Sequence, residues 1–263
     1  MSFAAASPSP APARTGPAVH FYPEIGVAGF SHVDGTVQFF NQVAALLEPA
    51  HRVLDFGAGR REPIADDPVP YRRRLSDLRG RCAHLEGCDV DPVVLDNPFL
   101  DGAKQIAVGA PLPYSDASFD MIVSRSVFEH VADPPQVAGE LLRILKPGGW
   151  LCAVTPNAWG YLAFFARLVP NRLHAAALRH VQPGRKAQDV FPTLYRMNSR
   201  RALRRLFGGE ADIYLTRTSA EPAYHFNSLI FYSIFYALHK ILPAVNQTTL
   251  NIFIRKHPIA QAR

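Results

Sequence analysis

Apolar residues along this chain follow two patterns. Short, nearly unbroken runs of strand length recur at 53–56 (VLDF), 121–124 (MIVS) and 150–154 (WLCAV). Such runs suit strands buried on both faces of a sheet. Between them, apolar residues return every three or four positions. Residues 34–47 carry Val37, Phe40, Ala44 and Leu47 at that spacing, with Pro49 beyond the end, and predict a helix. Asp133-Pro134-Pro135-Gln136 resembles a capping box, with proline at the first helical position. Val137, Leu141, Leu142 and Leu145 then share a face until Lys146-Pro147-Gly148-Gly149 ends the helix. Ser199 is placed to cap another, carrying Leu203, Leu206 and Phe207 and stopped by Gly208-Gly209.

Residues 82–89, 104–108, 212–217 and 248–255 predict further strands. Pro63, Pro68 and Pro70 rule out one long helix over 62–80 and leave a short one around 71–78. Residues 91–95 allow only a brief helical turn before Asn97-Pro98, and 112–120 (LPYSDASFD) are turn-rich. Strands alternating with helices predict an α/β fold, a mostly parallel sheet with helices on both faces.

A chain of 263 residues, nearly half of them hydrophobic, can form one such domain. Residues 1–17, rich in Ala, Pro and Ser, predict a disordered tail. They carry neither an early positive charge nor a continuous apolar run, which argues against a signal peptide. The domain then covers 18–263, with insertions at about 159–198 and 218–247 on the face that would meet a substrate. Cys82, Cys88 and Cys152 form no CxxC pair, which argues against a disulfide framework or a thiolate zinc site, so no metal is expected. The net charge of +6 is uneven: residues 160–209 hold ten Arg or Lys and one acid, Asp189, for +9, leaving −3 elsewhere.

Residues 52–61 (RVLDFGAGRR) carry the most specific local chemistry. A strand breaks there into a glycine turn, and in open α/β sheets ligands bind beyond the strand ends. Glycine adopts backbone angles closed to other residues and lets a ligand approach the main chain. Alone, this motif is shared with dinucleotide-binding proteins. Four segments in order are more telling: VLDFGAG (53–59), GCDVD (87–91), LPYSDASFDMIVSRSVFEHVADP (112–134) and LLRILKPGGWLCAVTPN (141–157). Together they resemble the class I S-adenosylmethionine-dependent methyltransferases, of the group that includes the ubiquinone/menaquinone methyltransferases. The resemblance covers about residues 34–157 and the final strand pair. It implies a Rossmann-like sheet whose last strand runs antiparallel.

It also implies the site. S-adenosyl-L-methionine would lie against Asp55, Phe56, Gly57, Ala58 and Gly59. Asp89 would accept hydrogen bonds from the ribose hydroxyls, Val90 would pack on the adenine, and Arg125 and Ser126 would stand at the cofactor's edge. Two departures stand out. Arg61 replaces the third glycine of the first motif, and Val108-Gly109-Ala110 offers no acid to the adenine amino group.

A sulfonium methyl is already activated, so the protein must mainly align the acceptor and exclude water. A hydroxyl or carbon acceptor also needs a base. His130 in FEHV is the candidate, set against the plainer reading that it holds a loop. His174, His180, Asp189 and Tyr195 also face the acceptor side in this reading. A cationic wall favours an anionic acceptor or an acidic lipid surface. Residues 226–242 make about 25 Å of helix, short of the ~30 Å hydrocarbon core, and Asn227, Ser228, His239 and Lys240 interrupt or flank them. A lid over the acceptor is favoured there, with an interfacial helix as the alternative.

The leading reading is a methyltransferase acting on a small-molecule or lipid- or glycan-linked acceptor. It would be cytoplasmic, with peripheral contact at the inner membrane face through 226–243 and the basic segment 160–209. A second reading is a degenerate methyltransferase fold that binds a lipid or a partner. A third, a nicotinamide dehydrogenase, suffers from Glu62 breaking GxGxxG and from Asp89 lying 30 rather than about 20 residues past Gly59. Nucleic acid is disfavoured as a partner, since no NPPY-like segment follows the fourth strand.

Overall fold

The computed structural model describes residues 16–60, 66–161, 163, 192–222 and 228–258. Seven strands form one sheet: β1 (Arg52–Phe56), β2 (His84–Asp89), β3 (Gly102–Gln105), β4 (Phe119–Arg125), β5 (Leu145–Pro156), β6 (Ala211–Thr218) and β7 (Thr249–Lys256), in the order β3-β2-β1-β4-β5-β7-β6. β1 through β5 pair in parallel, and β7 runs antiparallel to both β5 and β6. The order reverses at β1, so a crevice opens beyond the carboxyl ends of β1 and β4.

Described helices flank the sheet: α1 (Pro17–Phe21), α2 (Ile25–Ala28), α3 (Gly35–Leu46), α4 (Pro70–Ser76), α5 (Pro134–Ile144), α6 (Arg200–Phe207) and α7 (Leu229–Ile241). The two caps expected at Asp133 and Ser199 are made, and Asp34 adds a third. Asp34, Asp133 and Ser199 accept from the amides of Val37, Gln136 and Ala202, satisfying donors that a helix start leaves open. Two apolar layers hold the sheet. Phe39, Phe40 and Val43 of α3 pack with Val53, Met121 and Cys152 on one face. Leu141, Leu142, Leu203 and Phe207 pack with Leu54, Ile122, Ile252 and Ile254 on the other.

Several boundaries differ from the sequence expectation by a few residues, and two of them have a clear cause. β3 is Gly102–Gln105, two residues earlier than 104–108, because Gly102 pairs with Glu86 and Gln105 with Asp89. The chain then turns at Ala107, whose carbonyl accepts from the Ala110 amide, with Gly109 at φ 79°. β5 begins at Leu145, before the glycines, because Leu145 already pairs with Phe119. The register shifts between Phe119 and Met121, and Gly148 at φ 78° absorbs the bulge.

Candidate active site

The glycine turn after β1 is stitched to β2. The amides of Gly57 and Ala58 both donate to the Cys88 carbonyl, at 2.8 and 3.1 Å. Gly57 sits at φ 78° and Gly59 at φ 50°, angles that side chains resist. Gly57 has a second reason to be glycine: an added Cβ would lie 2.2 Å from Val127 Cγ2. The Gly59 amide donates to Asp89 Oδ2 at 2.9 Å, and the Asp91 amide to Asp89 Oδ1 at 2.9 Å. Asn97, buried, donates from Nδ2 to the Gly59 carbonyl at 2.9 Å. Ser124 on β4 donates to the Phe56 carbonyl at 2.9 Å. Gly57, Gly59 and Asp89 therefore share one rim at the ends of adjacent strands.

Burial lifts the Asp89 carboxyl above the usual aspartate range, opposed by the hydrogen bonds from Asp91 and Gly59. Each carboxylate oxygen takes one backbone donor, and a carboxylate has about four lone-pair sites in all, so acceptor capacity remains. Of the other residues named from the sequence, Phe56 and Ala58 turn their side chains into the core and offer only main chain. Asp55 is buried as well, and Val90 is half-buried with its carbonyl accepting from Gln105 Nε2. Val108 is 79% exposed, an open apolar surface beyond β3.

Arg125 ends β4, Ser126 follows it, and both line a cavity of about 350 Å³. Arg125 lies over the Phe40 ring at 5.3 Å, and Ser126, at φ 55°, donates its amide to the Val154 carbonyl. Asp34, Arg72, Thr155 and Glu221 also line this cavity. Arg72 is clamped by Asp34 at 2.6 Å and by both oxygens of Asp67. Burial opposes the Arg72 charge, but the two carboxylates outweigh it and hold the guanidinium protonated. Behind Thr155 runs a buried chain: Thr155 Oγ1 donates to Glu129 Oε2 at 2.8 Å, and Asn198 Nδ2 donates to Thr155 Oγ1 at 2.6 Å.

His130 follows β4 with Nδ1 3.0 Å from the Pro192 carbonyl. Tyr195, at φ 53°, donates its amide to the Glu129 carbonyl. Arg61, His174, His180 and Asp189 lie outside the described residues. Sequence reasoning missed Asn97, Arg72 and Glu129. Asn97 carried only a turn signal, while Arg72 and Glu129 take their importance from distant partners.

Residues 72–153 match the model of a methyltransferase domain family. An uncharacterized methyltransferase of Mycolicibacterium vanbaalenii is 35% identical over 85 residues, 32% of this chain and 30% of that protein. The 24-methylenesterol C-methyltransferase 2 of Oryza sativa subsp. japonica is 27% identical over 194 residues, 70% of this chain and 48% of that protein. The matched region thus spans less than half the length of these curated relatives. Among solved structures, a chain from the complex of a Haloferax volcanii methyltransferase activator with a methyltransferase superposes with a TM-score of 0.52. It is 16% identical and covers 87% of this chain and 92% of that one, a likeness of fold.

Proposed function

We propose that the chain is a class I S-adenosylmethionine-dependent methyltransferase, a reading supported by the methyltransferase-domain match over residues 72–153 and by its methyltransferase relatives, that it binds this cofactor at the Gly57–Asp89 rim, and that it passes the methyl group to an acceptor in the cavity lined by Arg125 and Ser126. The observation that carries the reading is the joining of Asp89 to Gly59. A carboxylate with spare lone pairs suits a pair of ribose hydroxyls. An added Cβ on Gly59 would reach no atom nearer than Asp89 Oδ2, at 3.9 Å, so the cradle is open beside that carboxylate. Val90 and the exposed Val108 offer apolar surface to a purine. No acid stands at Val108-Gly109-Ala110, so recognition of the adenine falls to shape and main chain.

When bound, the cofactor supplies a methyl already activated by its positively charged sulfur. The chain's residues need only place the acceptor and keep water away. Arg125 and Ser126 line the cavity, and in this reading they stand between it and the cofactor. His130 is the candidate base for a hydroxyl or carbon acceptor. Its Nδ1 lies 3.0 Å from the Pro192 carbonyl and its Nε2 4.0 Å from Glu129 Oε1, so both ring nitrogens are held in place.

An acceptor with a lipid part is favoured by α7. Its inward face carries Tyr232, Tyr236 and His239, while Ile230, Ile234 and Ile241 lie outward at 73%, 56% and 77% exposure. The aliphatic stripe therefore faces away from the protein, as a helix in contact with a bilayer surface requires. No helix among the described residues is long and apolar enough to cross a membrane. The relative from rice is named for a sterol, an apolar acceptor. Calorimetry of the dialysed protein with S-adenosylmethionine tests the first half of the proposal. Labelled cofactor incubated with a cell extract, then separated into lipid, glycan, protein and small-molecule fractions, tests the second. Absence of cofactor binding overturns the reading.

A further inference from the structure

A second cavity is distinct from the one beside Ser126. A groove of about 620 Å³ lies between α3 and the face of β5, β7 and β6, within the range of small-molecule sites. Strand alternation builds its floor. Tyr214 stands opposite Phe253, Thr216 opposite Asn251 and Thr218 opposite Thr249, all on the α3 side of the sheet. From α3, Asn41 and Gln42 form the facing wall. No lining side chain among the described residues is charged; the set is amides, hydroxyls, aliphatic surface and rings.

Two features point to a ligand. Trp150 and Tyr214 lie side by side, ring centroids 6.0 Å apart, with Tyr214 54% exposed. Arg255 lies over the Trp150 ring at 5.6 Å and helps fix it. The second feature is Asn251, 4% exposed on the groove floor. Its Nδ2 donates to Thr218 Oγ1 at 3.1 Å, while its Oδ1 has no partner. Rotating the amide only exchanges an orphan acceptor for orphan donors, and a buried polar group left so is costly.

We infer that this groove binds an uncharged saccharide. A sugar ring has an apolar C–H face for Trp150 and Tyr214 and a rim of hydroxyls that both donate and accept. Those hydroxyls match Asn41, Gln42, Thr216 and Asn251, which are amides and hydroxyls alone. An anion finds no cation in this lining, and a purely apolar chain leaves the amides unsatisfied. The groove also adjoins the cavity at Ser126, since Thr218 lines the first, its ladder partner Thr249 lines the second, and α3 contributes to both. The saccharide is thus the non-reacting part of the acceptor. That role rests on the methyltransferase reading, whereas the binding itself does not.

The chain holds two tryptophans, Trp150 and Trp159. Trp159 is 63% exposed and uses only main-chain atoms in its hydrogen bonds, so W159F leaves Trp150 as the sole tryptophan, within the groove and excited selectively over the tyrosines. This protein, without cofactor, is titrated with maltotriose, mannotriose and chitotriose. The expected result is a saturable change in Trp150 emission with at least one of them. Thr216→Val and Gln42→Ala, both exposed positions whose circular dichroism should be unchanged, each weaken it by roughly tenfold, as loss of one hydrogen bond does. Silence of all three sugars to millimolar concentration overturns the inference, as does a response untouched by both variants. A concentration-dependent dimer that shields Trp150 also overturns it, by giving the groove to a second copy. Cofactor calorimetry on the same sample reports the methyltransferase reading separately.

Discussion

The Gly59 amide donates to Asp89 Oδ2 at 2.9 Å, across 30 residues of chain. One carboxylate therefore sets the shape of the glycine turn while keeping acceptor capacity for a ligand. Asp91 binds the other oxygen, so the carboxylate cannot rotate freely. The turn and the proposed cofactor site are held by the same group, so in that reading cofactor affinity is tied to local order.

Asp89→Ala removes both functions. Two hydrogen bonds from ribose hydroxyls to a charged acceptor are each worth about 1.5–3 kcal/mol, so affinity for S-adenosylmethionine should fall by roughly a hundredfold or more. Asp89→Asn keeps one acceptor and should fall between this variant and the parent. Calorimetry measures both. Equal affinity in all three proteins would place the ribose elsewhere.

Gly57→Ala should cost stability twice over. The new methyl meets Val127 Cγ2 at 2.2 Å, and φ 78° is closed to alanine at about 1–2 kcal/mol. Val127→Ala should relieve the clash and leave the backbone term. The double variant should then recover part, not all, of the lost denaturation midpoint. Full recovery would mean that the turn relaxes to an ordinary angle.

Local chemistry was legible in the sequence, and distant partnership was not. Asp133 and Ser199 were legible as caps because a cap is decided within four residues, and Asp34, which went unread as one, caps by the same local rule. β1 and β4 were visible because strands buried on both faces need unbroken apolar runs. β3, GAKQ, is a half-exposed edge strand with no such run, and its register is fixed by β2. In the site, Gly57, Gly59 and Asp89 carried motif chemistry, but Arg72 and Asn97 find their partners 38 residues away. α7 reads as strongly apolar, yet its stripe of isoleucines faces outward, which only the packing of Tyr232 and Tyr236 on α1 reveals.

Asp120 gives a pH dependence. Its Oδ2 accepts from the Arg52 amide and its Oδ1 from Lys146 Nζ, both at 2.8 Å, tying β4 to the start of β1 and to β5. Burial raises its carboxyl, but Lys146 and the Arg52 amide outweigh this and hold it below the usual range. A lowered folded value means that the folded state favours the charge. The stabilisation is present above the unfolded value, near 3.9, and is lost as pH falls through the lower folded value. Asp120→Asn should melt earlier than the parent at pH 7, and the gap should close below about pH 4. A gap of constant size would assign the effect to hydrogen bonding alone.

The outward stripe of α7 supplies the last test. Ile230 and Ile234 lie four residues apart on one face, and neither is needed by the fold, since Tyr232 and Tyr236 make the inward contacts. Ile230→Ser with Ile234→Ser should therefore shift the melting free energy by no more than about 0.5 kcal/mol, as surface changes do. Sinking two isoleucines into a bilayer surface is worth about 1.5–3 kcal/mol each when complete. Co-sedimentation with phosphatidylcholine/phosphatidylglycerol vesicles should accordingly fall by roughly a hundredfold in the double variant. The proposed cofactor rim at Gly57 and Asp89 lies on other elements, so S-adenosylmethionine affinity should not change. Vesicle binding equal in parent and variant would remove α7 from any membrane contact, and the lipid part of the acceptor would lose its support.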